Sequence, residues 1–218
     1  MRHGVRYGEG MIDTSPVGSP DASRALHDAL RLLDAASQAA SVDGRVRVTV
    51  TTIDSPVGPL LLGASADHLL LLEFTEPDRL TRQLTRLGAT LGATFEAGDA
   101  PLLAETARQL CDYFARRRTT FDLPLGLRGT PFQVAVWRAL LAIPAGETRS
   151  YSDVARAVER PDAVRAVARA NGDNRLAIVV PCHRVIGADG SLTGYGGGLW
   201  RKQRLLDLER GVRSLLDA

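Results

Sequence analysis

The sequence predicts a mixed α/β chain of the α+β kind, a small sheet-and-helix unit followed by a mostly helical one. Three observations carry this. Apolar residues alternate and then run continuously over 45–74, as in an antiparallel meander. Those of 76–88 and 101–117 recur at helical spacing. Beyond residues 126–129, helix-start signals follow one another at short intervals.

In chain order, residues 1–20 are rich in Gly, Pro and Ser with almost no apolar periodicity and read as a disordered tail. Asp21 or Ser23 then caps a helix carrying Leu26, Leu30 and Leu33 to around Ala40, so 1–44 is expected to be an extension of tail plus one helix. Alternation at Val46, Val48 and Val50 starts the meander. The turn Ser55-Pro56-Val57-Gly58-Pro59 leads into Leu60–Leu62, and Ala66-Asp67 leads into His68–Phe74. After the two helices, Phe121-Asp122-Leu123-Pro124-Leu125 reads as a closing extended segment. Residues 45–127 gather no catalytic residue types and are expected to be a scaffold domain.

The second domain, 128–218, opens at Thr130-Pro131, a hydroxyl cap followed by proline where no N–H is needed. Val134, Val136, Trp137, Leu140 and Leu141 form the apolar side of that helix. Ser150-Tyr151-Ser152-Asp153 caps a short helix to about Val158, which Glu159-Arg160-Pro161 breaks. A helix over 162–170 follows and is expected to stop at Asn171-Gly172, a left-handed C-cap pair. Two short helices joined by a tight turn, with Arg165 and Arg169 one turn apart on the second, have helix-turn-helix proportions. A last helix is expected over Leu199–Arg210.

Composition narrows the function classes. A chain of 218 residues, 44% hydrophobic and 24% charged, is long enough to bury a real core. Two cysteines, Cys111 and Cys182, are too few for a disulfide framework or a four-cysteine zinc site. His3, His27 and His68 lack metal-ligand spacing, so no metal is expected. No apolar run reaches a membrane span, and no apolar stretch follows Arg2 and Arg6, so a cytoplasmic location is expected. Residues 1–136 hold 14 basic and 16 acidic side chains, and 137–218 hold 13 and 9, which makes the C-terminal part the basic one. All basic residues but Lys202 are arginine, whose forked, weakly hydrated head suits phosphate contacts; a codon preference for arginine explains much of that bias.

The chemistry gathers late in the chain. Leu176–Val180 reads as a buried strand that delivers Pro181-Cys182-His183-Arg184 at its end. Asn174 and Arg175 precede it, and Gly187–Gly190 and Gly194-Tyr195-Gly196-Gly197-Gly198 follow. Glycine backbone of that density can approach a flat ligand closely. A thiol attacks as the thiolate, and a nearby imidazole is the usual proton acceptor. Neighbours in an extended segment point to opposite faces, so Cys182 and His183 pair only through a bridging water or a local helix start. Glu209 on the last helix is a candidate to orient the imidazole. A Cys-His hydrolase would need an oxyanion hole and a separated histidine, and neither is in evident place. A transcription factor reading the major groove would need neither the thiol nor the glycine loop.

The run Pro181-Cys182-His183-Arg184-Val185-Ile186, with Asn174 before it and Gly194–Gly198 and Leu205-Leu206-Asp207-Leu208-Glu209 after it, closely resembles the O6-alkylguanine-DNA alkyltransferases, or methylated-DNA–protein-cysteine methyltransferases. The resemblance spans roughly 45–218 and is strongest over 130–209. It implies a ribonuclease H-like first domain and a second with the helix-turn-helix and the reactive cysteine. It implies that Cys182 takes the alkyl group irreversibly from O6-alkylguanine, with O4-alkylthymine as a second candidate, in double-stranded DNA. His183 would accept the thiol proton through a water, Glu209 would orient His183, and Asn174 would brace the active-site turn. Tyr151 would contact the phosphate beside the flipped nucleotide and protonate guanine N3. Tyr195, with Thr193 and Gly197 in the same loop, would line the guanine pocket, while Val185 backbone meets the exocyclic amine. Arg165, with Arg169 beside it on the DNA-binding helix, would fill the place of the extruded base, because a target inside a duplex must be flipped out. No cofactor and no metal are implied. The partner is alkylated duplex DNA, entered through the minor groove by a monomer that can bind cooperatively. Arg175 and Ala177 stand where many relatives have proline. Residues 1–44 are too short for a four-cysteine phosphotriester-repair domain or a second helix-turn-helix, which disfavours a regulator. A damage-sensing relative without transfer activity would lack Cys182.

Overall fold

Strand β1, Arg47–Ile53, buries Val48 and Val50 completely and leaves Thr49 and Thr51 half-buried, which is the alternation of a strand with one core-facing side. In the computed structural model, which describes residues 46–212 together with Arg24, His27 and Arg31, it lies third in a four-stranded sheet whose order is β3 (Leu69–Phe74), β2 (Leu60–Ala64), β1 and β4 (Thr94–Ala97). The tail and first helix expected within 1–44 lie, those three residues aside, outside the described residues. The chain divides into two compact units, Met1–Gly126 and Leu127–Ala218.

In the first unit, β2 (Leu60–Ala64) and β3 (Leu69–Phe74) continue from β1 as the expected antiparallel meander, with Thr51 opposite Leu62 and Leu62 opposite Leu72. Every residue of β2 and β3 is buried, and all are apolar but Glu73, whose carboxylate pairs with Arg79 at 2.8 Å. Helix α1 (Pro77–Leu91) lays Leu80, Leu84 and Leu87 on Val48, Val50, Leu61 and Leu71. Each such side chain contributes about 1.5–3 kcal/mol on leaving water. Gly92 ends α1 in the left-handed region at φ 57°, a conformation glycine adopts without strain.

Strand β4, Thr94–Ala97, was not expected. It pairs in parallel with β1 through Arg47 opposite Thr94 and Val48 opposite Phe95. Four residues, none fully buried, carry too little periodicity to announce a strand. Helix α2 spans Pro101–Phe114 and packs against β1 and β2. It stops a turn short of 117 because Arg116 turns to φ 58° and Arg117 N–H closes on Asp112 carbonyl at 2.8 Å. The expected closing segment forms only a bridge, Leu125 beside Leu69, held by Leu69 N–H to Pro124 O at 2.8 Å and Gly126 N–H to Leu69 O at 2.9 Å.

The second unit starts with α3, Pro131–Leu141, whose Thr130 hydroxyl takes the Gln133 N–H while the Gln133 side chain takes the Thr130 N–H, a complete capping box. Ser150 and Asp153 form a second box at the start of α4, Tyr151–Ala157, as their spacing predicts. Helix α5, Val164–Gly172, packs with α3 and α4. A two-strand parallel ladder joins β5 (Arg149–Ser150) to β6 (Val185–Ile186), and α6 spans Leu199–Arg210 as expected.

Candidate active site

The C-terminal end of α5 is pinned from three sides. Trp137 Nε1–H donates to Ala170 O at 2.8 Å, Gln133 Nε2 to Asp173 at 3.0 Å, and Arg175 to Arg128 O at 2.9 Å. The helix runs through Asn171 and Gly172 and closes at Asp173 with right-handed geometry, so the expected left-handed cap at Asn171-Gly172 is not formed. Asn171 is instead buried, its amide 3.5 Å from the carbonyl of Cys182.

The run Leu176–Val180 is also not the expected strand. Asn174 Oδ1 accepts from Leu176 N–H at 3.0 Å and its Nδ2 donates to Val180 O at 2.9 Å, so one side chain sews both ends of a loop together. Inside it the backbone makes tight turns, Val179 N–H to Ala177 O at 2.7 Å and Val180 N–H to Leu176 O at 2.8 Å, with Ile178 at φ 68°. A β-branched residue in the left-handed region costs about 1–3 kcal/mol and persists only where its surroundings enforce it. All five residues are buried, so the apolar run is satisfied by packing rather than by a ladder.

The loop delivers Cys182–Arg184 as a single 3₁₀ turn, closed by Arg184 N–H to Pro181 O at 3.0 Å. Successive side chains in such a turn diverge by roughly 120° rather than 180°. This is the local helix start that adjacency of Cys182 and His183 requires. Cys182 is buried, and its Sγ accepts from Asn174 Nδ2 at 3.1 Å. His183 is fully buried with Nε2 2.8 Å from Glu209 Oε1. Glu209 also accepts from Arg184 Nε at 3.0 Å, from an Arg184 terminal nitrogen at 2.8 Å, and from Gly146 N–H at 3.0 Å.

Electrostatics set the protonation states. Burial pushes His183 below its ordinary 6.5, against the pull of Glu209. Burial would raise Glu209, but hydrogen bonds from His183 and Arg184 outweigh it and hold the carboxyl far below the usual range. A neutral imidazole facing a carboxylate must carry its proton on Nε2, which leaves Nδ1 a free lone pair. Among the described residues Nδ1 has no hydrogen-bond partner.

A third segment closes over this turn. Tyr151 OH, at the start of α4, donates to Thr193 O at 3.4 Å and to Gly194 O at 3.3 Å. Burial raises its phenol, which therefore stays protonated. Gly194 sits at φ 53°, and an added Cβ would lie 3.0 Å from the Tyr151 oxygen, so both backbone and space demand glycine. Arg201 holds the buried Gly197 through its carbonyl at 2.8 Å, and Tyr195 O accepts from Gly198 N–H at 3.0 Å. Lys202, fully buried, donates to Val185 O and Thr193 O, both at 2.5 Å, and burial lowers it to about 8.

The structure thus brings Cys182, His183, Asn174 and Glu209 into one network and ties Tyr151 to Thr193 and Val185 to Lys202. Arg165 and Arg169 stand on the exposed side of α5, without an ion pair or hydrogen bond among the described residues, while the same helix touches Cys182 through Asn171. Three contributors were missed in the sequence: Lys202, Asn171 and Arg184. Lys202 leaves a trace as the only lysine of the chain, whereas Asn171 fits a helix cap by type and Arg184 is legible only as part of a motif.

Two family models match the chain: the 6-O-methylguanine DNA methyltransferase ribonuclease-like domain over residues 48–127 and the DNA binding domain of the same family over 131–211. The methylated-DNA–protein-cysteine methyltransferase of Mycobacterium tuberculosis is 52% identical over 163 residues, covering 73% of this chain and 90% of that protein. The constitutive enzyme of that name from Bacillus subtilis is 46% identical over 161 residues, covering 73% and 94%. Among solved structures, that of M. tuberculosis OGT in complex with DNA superposes with a TM-score of 0.65 at 45% identity, covering 79% of this chain and 98% of that one. Fold and site therefore define a 6-O-methylguanine DNA methyltransferase, with a ribonuclease-like domain ahead of a DNA-binding one. The chain belongs to the methylated-DNA–protein-cysteine methyltransferase family.

Proposed function

We propose that this protein repairs alkylated double-stranded DNA by moving the alkyl group from guanine O6 to Cys182 Sγ, once per molecule. The observation that carries this reading is the buried thiol held by Asn174 beside a neutral His183 whose Nε2 proton is fixed on Glu209. His183 Nδ1 takes the Cys182 proton through a bridging water, and the thiolate attacks the alkyl carbon. The carbon–O6 bond breaks, its electron pair returns to the guanine, and the Tyr151 phenol supplies the proton at N3. Asn174 orients the sulfur through its amide.

The extruded guanine lies against Tyr195, Thr193 and Gly197, with Val185 backbone at its exocyclic amine. Arg165 takes the vacated place in the stack and Arg169 a neighbouring phosphate, which fits two exposed arginines that no carboxylate among the described residues engages. The damaged base is reached through the minor groove, and the protein works as a cytoplasmic monomer. Among the described residues no helix is long and apolar enough to cross a membrane.

Titrating the protein against a duplex containing one O6-methylguanine tests the stoichiometry. Repair is expected to stop at one duplex per protein molecule, and continued turnover past one equivalent would overturn single-use transfer.

A further inference from the structure

We propose that Lys202 is the charge partner of the Cys182 thiolate: a positioning residue, fixed inside the domain, that supports the nucleophile before transfer and loses its counter-charge after it. The proposal rests on the reading of Cys182 as the acceptor thiol.

Lys202 is the only lysine among 27 basic side chains, and it is fully buried. A guanidinium is the more weakly hydrated cation and suits burial better. A lysine here, in a chain that otherwise uses arginine, points to a need for a compact point charge with tetrahedral donors. Two of its three donors are spent on neutral acceptors, Val185 O and Thr193 O, each at 2.5 Å. Among the described residues no carboxylate forms an ion pair with it.

The hydrogen bonds place this charge at the reactive turn. Val185 N–H bonds to Cys182 O while Val185 O bonds to Lys202 Nζ, so one residue separates the ammonium from the cysteine backbone. Thr193 O is shared by Lys202 Nζ and Tyr151 OH, which brings the cation to the closing loop as well. The ionisable groups that interact with it are Cys182 and His183 of the 3₁₀ turn; Tyr151 of α4 shares Thr193 O with it, and Arg184 and Glu209 act on His183. Glu209 is engaged by His183 and Arg184, His183 is held neutral, and Tyr151 stays protonated. The thiolate, which accepts from the neutral Asn174 amide, is the remaining anion among these groups. Its charge raises Lys202, opposing the burial that brings it to about 8, and Lys202 in turn lowers His183, consistent with one shared cluster.

In the transfer step the thiol proton goes to His183, the S–C bond forms, the C–O6 bond breaks and guanine takes a proton; Lys202 is not consumed. The product is a neutral thioether facing a buried ammonium. Such a cation has lost what offset its desolvation, and it gives up its proton more readily than before.

A single lysine makes this directly observable. The full-length chain labelled with ¹³C,¹⁵N-lysine gives one side-chain signal, whose titration reads Lys202 alone. The midpoint is expected to be lower in Cys182→Ser, and lower in protein methylated by an O6-methylguanine duplex, than in the unmodified protein. Equal midpoints in all forms would overturn the proposal. The Cys182→Ser arm needs no transfer, so a failure of the repair reading shows separately as the absence of a methylated form. In Lys202→Met, iodoacetamide labelling of the Cys182 peptide at pH 7 is expected to slow about tenfold, the change in thiolate fraction that one pH unit represents. Its labelling profile moves to higher pH. A variant slowed equally at every pH, with its midpoint in place, would mean that Lys202 only braces the loop, and the charge role would be wrong.

Discussion

Replacing Glu209 by glutamine removes one negative charge from a site that burial makes costly to disturb. The Glu209 side chain is 1% exposed and that of Arg184 7%, with the His183 ring between the same carboxylate and the reactive turn. Without the charge, the Arg184 guanidinium remains buried with no counter-ion, a change that costs about 3–5 kcal/mol. The glutamine oxygen still accepts one or two of the hydrogen bonds, which puts the cost at the lower end, about 3 kcal/mol. In a unit of roughly 90 residues each kcal/mol lowers the melting midpoint by about 4–8 °C, so a drop of about 12 °C or more is expected at pH 7.

The pH dependence has a definite sign. Glu209 titrates below its ordinary 4.5 in the folded protein, so its contribution is complete above 4.5 and is lost as the pH falls toward the folded value. The gap between wild type and Glu209→Gln therefore closes below pH 4.5. His183, held below 6.5, weakens both proteins in acid, because the unfolded chain takes up a proton that the folded one refuses, and it weakens the variant more, since the upward pull of Glu209 on the ring is gone. The amide can also offer its NH₂ to His183 Nε2, which moves the ring proton to Nδ1 and removes the base, so iodoacetamide labelling of Cys182 is expected to shift to higher pH. Circular-dichroism melts at pH 7 and pH 4, with a labelling profile, decide the matter. A variant melting within about 2 °C of wild type at pH 7, or a gap constant down to pH 3, would refute this account of the network.

Arg165→Ala is expected to slow repair of duplex DNA far more than reaction with free O6-benzylguanine, since holding a base out of the stack is worth a few kcal/mol only in the duplex; equal slowing of both would place Arg165 in the pocket or the fold. Cys182→Ala is expected to abolish transfer and keep duplex binding in gel-shift assays, because the exposed arginines of α5 are untouched; loss of both with the fold intact would contradict this. Gly194→Ala forces an L-residue to φ 53° at a strain of about 1–2 kcal/mol and pushes on the Tyr151 oxygen, so slower transfer at little change in duplex affinity is expected, and wild-type rates would show that the Tyr151 position is slack. Methylated protein is expected to melt several degrees lower than unmodified protein, since a methyl added at a buried sulfur overpacks the site by about 1–3 kcal/mol and Lys202 loses its counter-charge; identical melting curves would exclude both effects.

What the sequence made legible followed from strictly local rules. The meander of β1 to β3, the capping boxes at Thr130 and Ser150 and the limits of α6 all rest on periodicity or on side chains within one turn. Strand β4 escaped because its pairing partner is 47 residues away, Arg47 facing Thr94, and its own four residues have no pattern. The run Leu176–Val180 has the composition of a strand, but Asn174 withdraws its backbone groups from any ladder and Ile178 is driven left-handed, and neither event leaves a mark in hydropathy. Asn171 fits a helix cap by type, yet its amide serves the Cys182 carbonyl. The pairing of His183 with Glu209 crosses 26 positions; the need for an acid on another element makes Glu209 a candidate, and the family resemblance singles it out. Lys202 was visible as an anomaly of composition, but only its burial and its two carbonyl partners turn that anomaly into chemistry.

The central claim is that Cys182 itself receives the alkyl group. The wild-type chain is incubated with a duplex carrying one O6-methylguanine, digested, and its two cysteine peptides weighed. The account requires a mass gain of one methylene (about 14 Da) on the Cys182 peptide, an unchanged Cys111 peptide and guanine restored in the duplex. An unmodified Cys182 peptide beside repaired DNA, or a methyl group found on Cys111, would contradict it.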